Sequence, residues 1–249
     1  MTDLLRTALD GGGVRNSHAL VVEGLGHGMV AGQYPEGSLL PNDEELAKTF
    51  GVSRTVLREA MKTLAAKGMI EPRSRVGTRV KPRRAWNLFD QQVLAWHLDG
   101  DVSPDFLAQL FEMRLSFEPF AAGLAAERAG PEALAALYAQ CDAMAEAKDE
   151  RAFALADLEF HRCVHEAAAN AFFHTVITLI EAAMLVALRL SSPAADPGSK
   201  AGSAQRHRDI ADVIAAGKRR EAEMAMAAVI EEGWDRISRN PVRSARSST

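Results

Sequence analysis

Apolar residues recur at helical spacing from Ser17 to about Ala31, at Leu20, Val21, Leu25, Met29 and Val30, and predict a helix despite three interrupting glycines. A second helix follows: Asn42 stands as an N-cap with Glu45 three residues on, Leu46 and Phe50 supply a buried stripe, and Gly51 ends it. Ser53 is the cap of a third, in which Val56, Leu57, Ala60, Met61 and Leu64 face inward up to Gly68. Two short helices joined only by Gly51 and Val52 have helix-turn-helix spacing. Met69 to Glu71 and Thr78 to Val80 then read as paired strands, with PRSRVG as the hairpin tip, or wing.

The stretch KPRRAWNLFDQQVLAWHLDG starts with a break at Pro82 and holds Trp86, Leu88, Phe89, Val93, Leu94 and Trp96, enough apolar surface to dock. Beyond it the helical pattern dominates. It predicts helices from Pro104 to Ala129, Pro131 to about Ala147, Glu150 to Ala169, Ala171 to Ser191, Ser203 to Ala216 and Lys218 to Ser238. SSPAADPGSKAG is the one long loop expected, and no strand pattern interrupts the series. The fold class is therefore mainly α: a winged helix-turn-helix over residues 15–82, a linker over 83–102 and an all-α helical bundle over 103–239. Residues 1–14, with Gly11, Gly12 and Gly13, read as a flexible lead.

A length of 249 residues suits two domains, and 47% hydrophobic with 25% charged residues is ordinary globular composition. The two cysteines, Cys141 and Cys163, lie inside helical patterns and form no disulfide framework. The first thirty residues lack the apolar run of a signal peptide, and no stretch reaches the roughly 18 apolar residues of a membrane span. A cytoplasmic protein without membrane contact is expected. Net charge is −4, yet residues 54–84 hold ten Lys or Arg against Glu59 and Glu71 alone. Phosphate contacts dominate affinity for nucleic acid, so this imbalance points to DNA bound by one part of the chain.

The run LLPNDEELAKTFGVSRTVLREAMKTLAAKGMIEPRSRVGTRV resembles the helix-turn-helix and wing of the GntR family of bacterial regulators. EMRLSFEPFAAGLAAERA, DLEFHRCVHEAAAN and RHRDIADVIAAG resemble the effector domain, called FCD, of its FadR subgroup. Within that subgroup, WNLFDQQVLAW is similar to the linker of galactonate-responsive repressors. The resemblance implies a repressor whose affinity for double-stranded operator DNA is set by a small carboxylate metabolite, such as a sugar acid. A homodimer is expected, because one winged helix reads too few base pairs for useful specificity.

Arg54 and Arg58 are four apart on the expected recognition helix, with Ser53 and Thr55 beside them, where donors reach base edges and phosphates. Arg73 and Arg75 of the wing would reach the adjacent minor groove or backbone. The competing reading is a solvated helix face. Where the family often has Arg, this chain has Glu44, so a different operator is expected.

Asp157 and His161, also four apart, project from one helix face and could chelate a divalent ion or simply hydrogen-bond to each other. The resemblance adds His207, since the subgroup's metal sites use an Asp, a His four residues on, and two further His from other helices. The family spacing from His207 reaches Val229, which cannot ligate, leaving an incomplete set for Zn, Ni or Mn. His165 continues the face and is a substitute ligand or, as the reading more in keeping with a lone histidine, a core or surface residue. Arg114 lies where the family grips the effector carboxylate; alternatively it pairs with Glu118 on the next turn. Arg189 is a further effector contact or a structural partner. Two other classes stand against the regulator: a metal-dependent enzyme built on Asp157, His161 and His207, for which no nucleophile or base partner is evident, and a metal sensor.

Overall fold

The computed structural model describes residues 16–99, 102–190, 192–193 and 196–238. The chain divides into two compact units, one ending at Val102 and the other starting at Ser103.

The first unit opens with α1 (Ser17–Val30), α2 (Asp43–Phe50) and α3 (Arg54–Ala66). Each start is capped by a side-chain oxygen: Asn16 accepts from the Ala19 amide, Asn42 from the Glu44 and Glu45 amides, and Ser53 from the Val56 amide. Gly51 ends α2 at φ 63°, a left-handed conformation that glycine adopts without strain. Strands β1 (Ile70–Arg73) and β2 (Gly77–Val80) pair antiparallel, from Ile70 opposite Val80 to Arg73 opposite Gly77. The wing tip is thus Ser74, Arg75 and Val76, shorter than the sequence pattern suggests. Pro72 enters the ladder opposite Thr78, which a two-stranded edge tolerates because proline's missing donor can face outward.

Helix α1 keeps its helical form through Gly24, Gly26 and Gly28 because three aromatic rings lie where their side chains would be. A Cβ would come within 2.5 Å of Phe50 at Gly24, 2.5 Å of Trp96 at Gly26 and 2.7 Å of Tyr34 at Gly28. Val21, Leu25 and Met29 of α1 meet Leu46, Leu57, Leu64, Ile70 and Val80 in one core, which Trp86, Val93 and Trp96 from the linker complete. The linker forms a 3-10 turn (Arg83–Ala85) and α4 (Gln91–Leu98). Asp90 caps α4 and takes Lys67, the residue closing α3, in an ion pair with both carboxylate oxygens at 2.7 Å. Glu23 of α1 accepts from Gln92 at 2.8 Å and from the Trp96 indole at 2.5 Å.

The second unit is a bundle of α5 (Pro104–Arg128), α6 (Pro131–Glu146), α7 (Glu150–Ala167), α8 (Phe173–Leu190), α9 (Pro197–Ala215) and α10 (Arg219–Ser238). α5 packs on α10 and α7, while α6 packs on α7 and α9. Helix α9 starts at Pro197 rather than at Ser203 as expected: Asp196 accepts from the Ser199 amide and Pro197 occupies the first turn, where its missing N–H costs nothing. Among the described residues, no helix is long and apolar enough to cross a membrane.

Gly26→Ala sets two effects against each other. Alanine gains about 1 kcal/mol of helix propensity, but its Cβ would enter the Trp96 ring, an overpacking cost of about 1–3 kcal/mol. Denaturant unfolding should show net destabilisation, and the sign should reverse in a Trp96→Ala background, where the space is open.

Candidate functional site

The centre of the second unit is polar. Helix α7 carries Asp157 and His161 one turn apart, α9 carries His207, and α5 carries Arg114 and Glu118. Arg114, Glu118, His161 and His207 are each at most 5% exposed, and the Asp157 side chain is 13% exposed. Arg114, Asp157, His161 and His207 line one cavity with Met184, Ser203, Val229, Gly233 and Arg236.

Glu118 organises it. Its Oε1 accepts from Arg114 Nε at 2.5 Å, and its Oε2 is bonded to His161 Nδ1. Burial alone would raise this carboxyl's pKa, but the Arg114 guanidinium and the His161 ring outweigh it and hold the group well below the usual carboxylate range. Arg114 therefore does pair with Glu118 on the next turn, while also lining the cavity.

Both histidine rings are fixed by their Nδ1 atoms. The His207 Nδ1 lies 2.8 Å from the Ser203 carbonyl oxygen, which can only accept, so that nitrogen carries the proton. Phe160 stands edge-on to both rings, 5.9 Å from His161 and 5.0 Å from His207. The two Nε2 atoms consequently face each other at 3.4 Å, and Asp157 Oδ1 is 2.8 Å from the His207 Nε2. Burial would raise the Asp157 pKa too; His207, then His161 and Arg114, reverse this and keep it an anion. One oxygen and two nitrogens within 4.8 Å of one another form a potential metal-binding group.

These residues fit a divalent ion. Two nitrogens each about 2.0–2.1 Å from a tetrahedral metal lie about 3.3 Å apart, close to the spacing seen. Fixing Nδ1 by a carboxylate and a backbone carbonyl is the usual outer-sphere support for histidine ligands.

Val229 of α10 lines this cavity, so the position where the family spacing leads to a fourth ligand is in place and offers only methyl groups. His165 is buried with its ring 5.3 Å from Phe173 and stands outside the metal-binding group. The Arg189 side chain lies outside the described residues. Sequence reasoning did not assign to the site Glu118, which holds Arg114 and His161, or Arg236, which lines the cavity. Burial pushes the Cys141 and Cys163 thiols up to about 12 and about 11, so both stay protonated at neutral pH and are poor nucleophiles.

In the first unit, Ser53, Arg54, Thr55 and Arg58 are all exposed on the N-terminal half of α3, and Arg73 and Arg75 are exposed on the wing. Arg75 holds φ at 62°, a turn conformation at the tip. Glu44 of α2 lies 3.9 Å from Arg54, both strongly exposed.

Comparisons with known proteins agree with these two halves. Residues 19–80 match the model of bacterial regulatory proteins of the gntR family, and residues 109–232 match the FCD domain. The chain is 34% identical over 196 residues to the HTH-type transcriptional regulator YieP of Escherichia coli, covering 73% of this chain and 85% of YieP. It is 38% identical over 151 residues to the E. coli galactonate operon transcriptional repressor, covering 60% of this chain and 66% of that one. The solved structure of Lar, which controls the Listeria monocytogenes agr system, superposes with TM-score 0.63 at 21% identity over 92% of this chain and 99% of Lar. A helix-turn-helix with an exposed basic helix and wing, followed by an all-helical domain of FCD type, defines a DNA-binding transcription factor. The chain belongs to the GntR family of DNA-binding transcriptional regulators, with a C-terminal FCD domain, and is not an enzyme.

Glu118→Gln tests the central ion pair. The folded carboxyl titrates below its ordinary 4.5, so its contribution to stability is complete above that pH and is lost as pH falls toward the lowered value. At neutral pH the substitution should cost about 3–5 kcal/mol by leaving Arg114 buried without its counter-charge. The gap between parent and variant should narrow in acid, as read by denaturant unfolding from pH 7 to pH 3.

Proposed function

We propose that this chain is a homodimeric repressor whose operator affinity is controlled by a small hydroxy acid of the sugar-acid class, to which galactonate belongs, bound in the cavity of its FCD domain. The observation that carries the reading is the convergence of Asp157, His161, His207 and Arg114, from three helices, on one cavity. Such a cluster of polar groups around one cavity offers a carboxylate-bearing ligand or an ion the few well-placed donors and acceptors that binding sites use.

Asp157, His161 and His207 would hold a divalent ion such as Zn, Ni or Mn. A bound ion would supply Lewis-acid attraction for carboxylate and hydroxyl oxygens. Arg114, held at Nε by Glu118, keeps its terminal nitrogens for the acid's carboxylate. Val229 withholds a fourth protein ligand, which leaves more of the coordination sphere to the effector and makes ion binding weaker than with four side chains. The free space is about 40 Å³, room for about three waters, so a six-carbon acid requires the cavity wall to move. That requirement supports a switch: the ligand favours a conformation with a wider cavity, and two such conformations can differ in DNA affinity.

On the DNA side, Arg54, Thr55 and Arg58 read the major groove, with Ser53 at the helix start, while Arg73 and Arg75 contact the minor groove or backbone. Glu44 beside Arg54 replaces a cation with an anion and so alters base preference. A residence in the cytoplasm accords with this role.

Arg54→Ala or Arg58→Ala should weaken operator binding by about 1–3 kcal/mol each while leaving helix content and dimer mass unchanged. Fluorescence anisotropy on the native operator, with light scattering, checks this; unaltered affinity or a monomeric parent counts against the reading. Calorimetry with galactonate, with and without chelator, should show binding that Arg114→Ala and His161→Ala each weaken at least about tenfold. Equal binding to all three proteins places the effector elsewhere.

A further inference from the structure

Helix α10 presents Val229, Gly233 and Arg236 to the cavity, spaced four and three residues apart and therefore on one face. The first offers no polar atom and the second no side chain. The third brings a second guanidinium to a cavity that already has Arg114 from α5. Arg236 Nη1 donates to Glu232 Oε1 at 3.0 Å, and Glu232 is shared with Arg206. Arg236 Nε is shielded from water and has no hydrogen-bond acceptor among the described residues. A surface arginine paired along its helix would leave Nε to solvent; here it is a buried donor awaiting an acceptor, a condition that folded proteins avoid.

The geometry of guanidinium adds a requirement. Nε and Nη2 form one edge with two parallel N–H groups, the edge that matches the two oxygens of a carboxylate. With Nη1 engaged by Glu232, that edge is the one left for a ligand. Gly233 keeps the adjoining wall open, since a Cβ there would meet nothing closer than Arg236 Nη2 at 3.8 Å.

We propose, resting on the reading of this cavity as the effector site, that the effector is a dicarboxylic hydroxy acid: one carboxylate goes to Arg114 and the second to the Nε–Nη2 edge of Arg236. Arg236 is then the residue that separates diacids from monoacids. Discrimination follows from charge and from the orphaned donor, because a neutral terminal hydroxyl meets only part of that edge.

Galactarate and galactonate make a matched pair of probes, equal in carbon number and differing only in whether C6 is a carboxylate or an alcohol. Calorimetry on the full chain, loaded with manganese, should give about tenfold or more tighter binding of galactarate. Arg236→Gln should remove that preference by weakening galactarate alone, and Arg236→Lys, which keeps the charge but not the paired donors, should fall between. Unchanged melting temperatures in these partly exposed variants show that folding is intact. Equal affinity of the parent for both acids, or equal weakening of both by Arg236→Gln, overturns the proposal while leaving the effector site standing. Binding of neither acid to the parent overturns both.

Discussion

A carboxylate with no exposure to water, Glu118, sets the geometry of the sensing domain. An ionised group can remain in such a place only with strong donors on both oxygens, and Arg114 and His161 supply them. Each partner is then no longer free to turn. His161 must present Nε2 to the cavity because Nδ1 is taken, and Arg114 must present its terminal nitrogens because Nε is taken. The arrangement is costly to assemble, and its return is a cavity whose chemically active atoms are aimed before any ligand arrives.

The same logic extends outward. His207 is turned by the Ser203 carbonyl, and Phe160 stands edge-on to both imidazoles. The consequence is two facing Nε2 atoms with the Asp157 carboxylate beside them, a set of donors that suits a cation. Val229, standing where the family spacing leads to a fourth ligand, leaves this geometry intact, since the orienting contacts of Glu118, Ser203 and Phe160 come from α5, α7 and α9. It changes what the site lacks, and therefore what it can take up.

Much of the fold was legible in the sequence because its punctuation is local. Asn42, Gly51 and Ser53 mark helix ends through contacts within three residues, and the structure uses all three as caps. The start of α9 was misplaced for the opposite reason: Asp196 and Pro197 form a sound start signal, but the Ser, Pro and Gly around them read as loop. The glycines of α1 could be seen but not explained, since Phe50, Tyr34 and Trp96 reach them through tertiary packing. In the site, Asp157 and His161 share a face by spacing alone, whereas His207 came from family resemblance, 46 residues further on than His161. Glu118 was visible only as a neighbour of Arg114; its second bond, to His161 on another helix, has no signature in periodicity. Arg236 sits in a helix rich in charges, where nothing in the pattern distinguishes it from solvated neighbours.

The docking of α4 has a mechanical meaning. Trp96 occupies the notch at Gly26 and is tied to Glu23, while Asp90 grips Lys67 at the end of α3. The segment that reads as a linker is thus a fixed handle on the DNA-binding head: its own polar bonds and indole ring join it to the helix carrying Arg54 and Arg58. A force applied to that handle is not dissipated in slack chain but is borne by α1 and α3 together, so the segment that reads as a linker and the helix that carries the recognition surface turn as one body.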